Sequence, residues 1–456
     1  MRKNLLLLLL AAMFTMVSCN YNEDQVTVNT TKADQEAIID GKVPLSRAIT
    51  NANFVFKNIE GASLKNRKVK SVDVLTTSNT RSVIANTRSG LGEQEQPVAY
   101  VVNYDNNEGF AILAADTNLP PVIGIGDEGN FNTQGFIDFV RGKVTRTNGA
   151  EINPAQEVQY AIINNSLLLP PIIDGPSPTG CVDTTIVLKC LPLVRTKWGQ
   201  GDPYNRFAPP VQGAIFESKS AAGCVPVAGA QVLTSLCHHH NLRPTTQLSE
   251  QYIVDWEALN SMIFNNIIEF EPDTYSSDIV NVARLIRAVG HDVVADYNQE
   301  TGANTYDLAD TFETLGISST RYGNEESDSP ITRSDIFNMI LYKNYPVITR
   351  ADNSMSNDSH RGHSFILDGW LRLEYSSVSV DGNMSGNTTI INRQHNFDLV
   401  HVNFGWYGQN DGYYLPDAID LTTEKYIEYA EPDDDADAGA KQAVYDLNIE
   451  YLIYEL

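Results

Sequence analysis

One cysteine in this chain sits where a thiol becomes reactive. Cys224 follows Gly223 and opens an apolar, Ala- and Gly-rich stretch, 225–237, that reads as a buried helix with Pro226 in its first turn, where proline is tolerated. A helix N-terminus presents unpaired N–H groups and the positive end of the dipole, and both favour a thiolate. Burial as an inert core residue is the common fate of a lone cysteine, so Cys224 needs partners. Of the eight histidines, His363 is the best placed: it follows Gly362, which lets a substrate backbone approach, and it precedes the apolar strand 364–368. Asn403, ending the strand 399–403, can orient an imidazole, and Trp406 can shield that hydrogen bond from water. Gln200, in the segment 198–205 upstream of the thiol, offers an amide that would share an oxyanion with the Cys224 backbone N–H. Nucleophile, base, orienting amide and oxyanion donor together describe thiol-dependent acyl transfer.

The elements that must carry these groups fall into two textures. Residues 46–165 read as α+β, with a strand at 98–104, a turn at 105–109, a returning strand at 110–115 and another short strand at 120–126. Apolar runs flanking Asn and Gly make a hairpin the natural reading. Residues 166–195 hold Pro170-Pro171 and Gly175-Pro176-Ser177-Pro178 and read as a linker, with Cys181 and Cys190 spaced for a local disulfide. Beyond 195 the helical stretches 225–237 and 278–289 are followed by strands at 347–350, 364–368 and 399–403. No repeat of solenoid period is present.

The residues in order resemble the streptopain family of papain-like cysteine peptidases. The resemblance is carried by Trp198-Gly199-Gln200-Gly201-Asp202-Pro203-Tyr204-Asn205, Gly223-Cys224-Val225, Asp296-Tyr297 to Gly302-Ala303, Gly362-His363 and Asn403-Phe404-Gly405-Trp406. The separation of 139 positions from Cys224 to His363 agrees with the Cys-to-His spacing of papain-like enzymes. Phe404 stands where streptopain has a Trp. The resemblance implies an α+β fold: a papain-like catalytic domain with a helical half and an antiparallel sheet half, preceded by a smaller α+β prodomain that inhibits it. It implies Cys224 as nucleophile, His363 as general base and then acid, and Gln200 as oxyanion donor. Asn403 and Trp406 become supports of the imidazole, and Gly362, Gly302 and Ala303 line the substrate cleft. It implies no metal and no organic cofactor, protein or peptide substrates, and the chain's own propeptide as intramolecular inhibitor. Two rivals stay open: a Cys-His amidase or acyl transferase of the cell envelope, for which Asp368 is the nearest third group, and a non-catalytic binding lipoprotein.

Composition and address narrow the setting. The 456 residues carry 32 basic and 57 acidic side chains, a net charge of −25, which is unsuited to nucleic-acid binding. The first residues, with Arg2 and Lys3 ahead of the apolar run 5–17, form a secretory signal, and Met16-Val17-Ser18-Cys19 resembles a lipobox whose thiol is acylated. The expected organisation is a signal peptide at 1–18, a propeptide with linker at 19–180 and a peptidase domain at 181–456. The expected location is the bacterial cell envelope, as an outer-membrane lipoprotein anchored through Cys19 or as a secreted protein. His238-His239-His240 cannot converge on one metal, because three successive helical residues point three ways.

Overall fold

The computed structural model describes residues 41–60, 67–77, 96–140, 153–167, 183–211, 218–322, 331–353, 362–382, 388–416 and 447–455. Cys19, Cys181 and the acidic run 433–437 lie outside them.

The amino-terminal part is built on β2 (Pro97–Tyr104) and β3 (Phe110–Ala114), the expected hairpin. Its turn is a short 3-10 segment followed by Gly109 at φ +104°, where a side chain would collide with the Gly126 carbonyl. β1 (Val69–Thr76) pairs with β2, and β4 (Val122–Gly126) pairs with β3. Helices α1 (Leu45–Glu60), α2 (Thr133–Val140) and α3 (Pro154–Leu167) complete this unit. Phe131, Phe136 and Phe139 surround Tyr160 with ring centroids 5.4–5.8 Å apart, joining α2 to α3.

The carboxy-terminal part begins with α4 (Cys224–His239), α5 (Trp256–Phe264), α6 (Ser277–Asp292) and α7 (Asp307–Thr314). Every residue of α4 from Val225 to Cys237 is buried, so the helix has no solvent face, which its apolar sequence requires. Gly229 lets Leu308 of α7 approach closely. Asp255 and Ser276 cap α5 and α6 by accepting from backbone N–H groups. There follow β6 (Ser318–Tyr322), α8 (Arg333–Tyr342), β7 (Val347–Asn353), the long antiparallel pair β8 (Gly362–Gly382) and β9 (Thr388–Asn403), β10 (Gly412–Tyr414) and β11 (Leu447–Glu455).

All these strands join one sheet, in the order β1-β2-β3-β4-β10-β9-β8-β7-β11-β6. The two parts meet at β4 and β10, where Ile125 opposes Tyr413. Strand alternation then sorts the core. Val347, Phe365, Leu367 and Tyr451 face the cluster shared with α1, α2 and α3, while Ile348, Ile366 and Leu452 face the cluster built by α4–α7. One sheet therefore carries the catalytic-side helices on one face and the amino-terminal helices on the other.

The stretch expected to be linker corrects the sequence reading. Asp183–Cys190 forms β5, paired with β8 from Cys190 opposite Trp370 to Asp183 opposite Ser376. The β-branched run Thr184-Thr185-Ile186-Val187 outweighs the Pro and Gly residues before it. Cys190 is buried with its sulfur 3.8 Å from the Ile340 carbonyl oxygen.

Candidate active site

Cys224 is the first residue of α4, half-buried where the helix meets the sheet. Gly223 precedes it at φ +93° and ψ 141°, a conformation that favours glycine, and a β-carbon there would press on Thr301 and Pro226. Among the described residues no side chain caps the helix at Gly223, so its first N–H groups remain for the sulfur. Burial alone would raise the Cys224 pKa. The neighbouring His363, with the backbone N–H groups of Ser364 and Val225, outweighs it and holds the thiol below its ordinary value.

His363 lies at the start of β8, 1% exposed, opposite Ala351 of β7. Its Nε2 is 2.7 Å from the Phe404 carbonyl oxygen. A carbonyl only accepts, so Nε2 carries the hydrogen in the neutral ring, and Nδ1 is the lone-pair nitrogen left for the thiol. Phe365 and Phe404 lie nearly parallel to the imidazole, at 16° and 20°, with centroids 6.5 and 6.4 Å away. The phenyl at 404, where the resemblance leads one to expect indole, thus supports the imidazole with its ring and orients it with its backbone.

Asn403 does not orient the imidazole directly, and here the structure corrects the expectation. Its Oδ1 accepts from Gln231 Nε2 at 3.1 Å and from Gly405 N at 3.0 Å, and its Nδ2 donates to the Thr196 carbonyl at 3.0 Å. The Gly405 N–H shares a peptide group with the Phe404 carbonyl, so Asn403 fixes the plane of the peptide that holds the ring. Trp406 is half-buried against the sheet-side core, and the rings stacked on the imidazole are those of Phe365 and Phe404.

Gln200 reaches the site through its backbone: Ala222 N donates to the Gln200 carbonyl at 2.7 Å, tying its loop to the residues just before Cys224. Tyr407 clamps that loop from outside. Gly201 N donates to Tyr407 Oη at 2.7 Å, Tyr407 N donates to the Trp198 carbonyl at 3.1 Å, and a side chain at Gly199 would overlap the tyrosine ring. The loop 295–303 borders the other side. Thr301 Oγ1 donates to the Ala221 carbonyl at 2.6 Å, Ala221 N donates to the Asn298 carbonyl at 3.0 Å, and a bridge joins Asp296 to Gly302. Gly302 is exposed with open space above its Cα, Ala303 packs on the helical core, and Gly362 is half-buried beside His363.

Three site residues were not singled out from the sequence. Gln231 lies two helical turns after Cys224, on the same face of α4. It is fully buried, and its Oε1 accepts from Thr196 Oγ1 at 3.0 Å and Trp198 N at 3.2 Å while its Nε2 reaches Asn403. A glutamine inside an otherwise apolar helix was the available signal. Asp411 and Tyr407 become visible only when the turn 404–411 closes on its neighbours. Of the adjacent histidines, His239 and His240 bond the Leu193 and Asn344 carbonyls at 2.9 and 3.0 Å.

A reactive thiol against a tautomer-fixed imidazole is the arrangement of a cysteine peptidase, and residues 198–414, which span both groups, match the Peptidase C10 family. The peptidase part of the chain, residues 198–414, belongs to this family. Residues 45–141 match the Spi protease inhibitor family, which makes this C10 peptidase a zymogen with its own inhibitor domain. Among curated relatives it is 24% identical to streptopain of Streptococcus pyogenes, over 72% of this chain and 76% of that protein. It is 22% identical to the thiol protease/hemagglutinin PrtT of Porphyromonas gingivalis, over 74% of this chain and 36% of that protein. Among solved structures, a prointerpain A fragment of Prevotella intermedia covers 80% of this chain and 96% of its own at 20% identity, with a TM-score of 0.44. The active interpain A of the same organism covers 58% and 94% at 21% identity, with a TM-score of 0.35.

Proposed function

We propose that this C10 peptidase is a cell-envelope zymogen that cleaves within protein chains by the Cys224–His363 pair. The observation that carries the reading is the His363 ring, whose Nε2 is committed to the Phe404 carbonyl while Cys224 is the thiol held below its ordinary pKa. In this reading the Cys224 proton passes to His363 Nδ1 and the sulfur attacks the scissile carbonyl carbon. The oxygen takes the electron pair between the Cys224 N–H and the Gln200 amide. The C–N bond breaks, the amine leaves with the proton from His363, and a thioester remains. Water then gives a proton to His363, attacks the thioester and expels the thiolate. Gly362, Gly302 and Ala303 border the substrate.

The envelope-amidase alternative is weakened by the position of its third group. Asp368 is five residues along β8 from His363, roughly 16 Å at the strand rise, and its carboxylate is taken by His401 and Val194 N.

The inhibitor domain, within 19–180, is held by strand pairing at β4 and β10, by Gln159 Nε2 donating to Tyr414 Oη at 2.8 Å, and by the Glu128–Lys197 ion pair. β5 is paired with β8, and Thr196 and Trp198 are bonded to Gln231 in the core. A cut that spares the peptidase domain therefore falls between Leu167, the end of α3, and Asp183, the start of β5, consistent with a boundary near 180/181. Lys189, Arg195 and Lys197 are the basic residues of 165–197, and all three are in the folded part. The leader 1–18 and acylation of Cys19 would leave the zymogen anchored at the envelope, with the acidic stretch after Cys19 (Asn22, Glu23, Asp24) as tether.

The test is incubation of residues 20–456 under reducing conditions, wild type beside Cys224→Ala, following chain mass and casein cleavage. The expected result is that only the wild type shortens to about the catalytic domain and cleaves casein. Wild-type chain that stays silent, even after cleavage at a specific-protease site inserted between Leu167 and Asp183, contradicts endopeptidase activity. The anchor is read separately: full-length chain from membranes should carry lipid mass on Cys19, and Cys19→Ala should lose it. An unmodified membrane form refutes acylation.

A further inference from the structure

Asp411 lies just before β10, 8% exposed, beneath the turn that orients the imidazole. Its Oδ1 accepts from Phe404 N at 2.8 Å, and the carbonyl of the same Phe404 accepts from His363 Nε2 at 2.7 Å. Phe404 itself is fully buried, and Asn403 holds the following peptide through Gly405 N. The backbone of residue 404 is thus fixed at both ends, by Asp411 at its N–H and by Asn403 behind its carbonyl. Neither side chain is hydrogen-bonded to the imidazole, yet both set where the carbonyl points.

We propose that Asp411 is a positioning residue for His363, acting through the Phe404 backbone as a hydrogen-bond acceptor. This rests on the reading of Cys224 and His363 as the reacting pair. Charged groups meet Asp411 from every side: His401 of β9, Asp368 of β8, Lys197 of the 193–198 segment, and Asp127 of the inhibitor domain, whose N–H lies 3.4 Å from the Asp411 carbonyl oxygen. Burial drives the Asp411 carboxyl up to about 7, against the pull of His401, the Phe404 N–H and Lys197. Either protonation state keeps an oxygen lone pair for the Phe404 N–H, so the positioning needs an acceptor rather than a charge.

The full chain tests this without maturation or a known substrate. The rate of Cys224 alkylation by iodoacetamide is measured from pH 5 to 9 for wild type, Asp411→Ala and Asp411→Asn, with labelling located by peptide mass and folding followed by thermal unfolding. Wild type is expected to stay reactive at pH 6. Asp411→Ala is expected to lose at least about tenfold at pH 6 and to recover near pH 9, because a thiol without an aligned imidazole ionises only in the alkaline range. Asp411→Asn, which keeps the acceptor, is expected to stay within about threefold of wild type throughout. If Asp411→Ala does not fold, Asp411→Ser, whose oxygen falls short of Phe404 N, replaces it with the same expectation. A wild-type profile for the Ala or Ser variant, or an equal loss in Asn, overturns the proposal. A wild-type chain unreactive at pH 6 overturns the Cys224–His363 reading instead.

Discussion

Two buried histidines on neighbouring strands receive opposite treatment. His363 of β8 is held by a neutral carbonyl, and its other nitrogen is left for the Cys224 thiol. His401 of β9 has its Nδ1 2.6 Å from Asp368 Oδ1, with both side chains nearly sealed from solvent. Burial opposes charge on His401, but Asp368, with Asp127 and Asp411 nearby, outweighs it and holds the imidazole above its ordinary pKa. A ring that must take and return a proton in each turnover is oriented by a group without charge. A ring that ties strands together is given a permanent counter-ion. Asp411 stands between them, near His401 and bonded to the residue that aims His363.

The His401 site owes its counter-ion to a β-bulge. Leu367 pairs with Val402 and Gly369 with His401, so Asp368 is the extra residue of β8, turned out of register toward the imidazole. Gly369 permits the approach, since a β-carbon there would stand 2.9 Å from that of His401. Removing the counter-ion should break the comparison most strongly. Asp368→Ala leaves a buried imidazole unpaired and strands Val194 N, and should cost roughly 3–5 kcal/mol in denaturant unfolding. In the remaining folded protein, Cys224 alkylation at pH 6 should match wild type. Loss of that reactivity at full folding would merge the two sites into one.

The pH dependence follows from the direction of the His401 shift. Its folded pKa is raised, so its contribution is fully present below about 6.5 and is lost as pH rises through the folded value. Unfolding midpoints of wild type should therefore fall across the neutral-to-alkaline range, and Asp368→Ala should flatten that slope. An equally steep slope in the variant would contradict the assignment.

A smaller effect sharpens the other side. Gln231→Ala leaves Thr196, Trp198 N and the Asn403 amide without their shared partner, at about 1–3 kcal/mol, the range for a buried polar group left unsatisfied. Because Asn403 fixes the 404–405 peptide, this variant should also reduce Cys224 alkylation at pH 6, whereas Asp368→Ala should not. Equal effects would remove the distinction.

The two histidines also mark the limit of what the sequence discloses. The 98–114 hairpin, the buried helix after Cys224 and the strand after His363 were legible because each is a local pattern: alternation about a turn, an apolar run, a proline in the first helical turn, where it is tolerated. The thiol and imidazole were legible by type and spacing, and the structure brings them together. What remained hidden depends on partners distant in the chain. Asn403 looked like the partner of the ring, but the ring selects the carbonyl one residue on. Asp368 looked like a candidate third catalytic group, and a bulge that no local pattern announces turns it to His401. β5 was masked by the prolines before it, and the union of β4 with β10 arises only when two separately patterned units share an edge.

The central claim is that His363, held by the Phe404 carbonyl, keeps Cys224 reactive below the ordinary thiol range. It is tested most directly by labelling the full chain with a limiting amount of iodoacetamide at pH 6, wild type beside His363→Ala, and mapping the modified cysteines. Cys190 and Cys237 are buried, and burial pushes the Cys237 thiol up to about 12, so neither competes. Label is expected at Cys224 in the wild type and is expected to be lost in His363→Ala. Equal labelling of Cys224 in both proteins would contradict the claim.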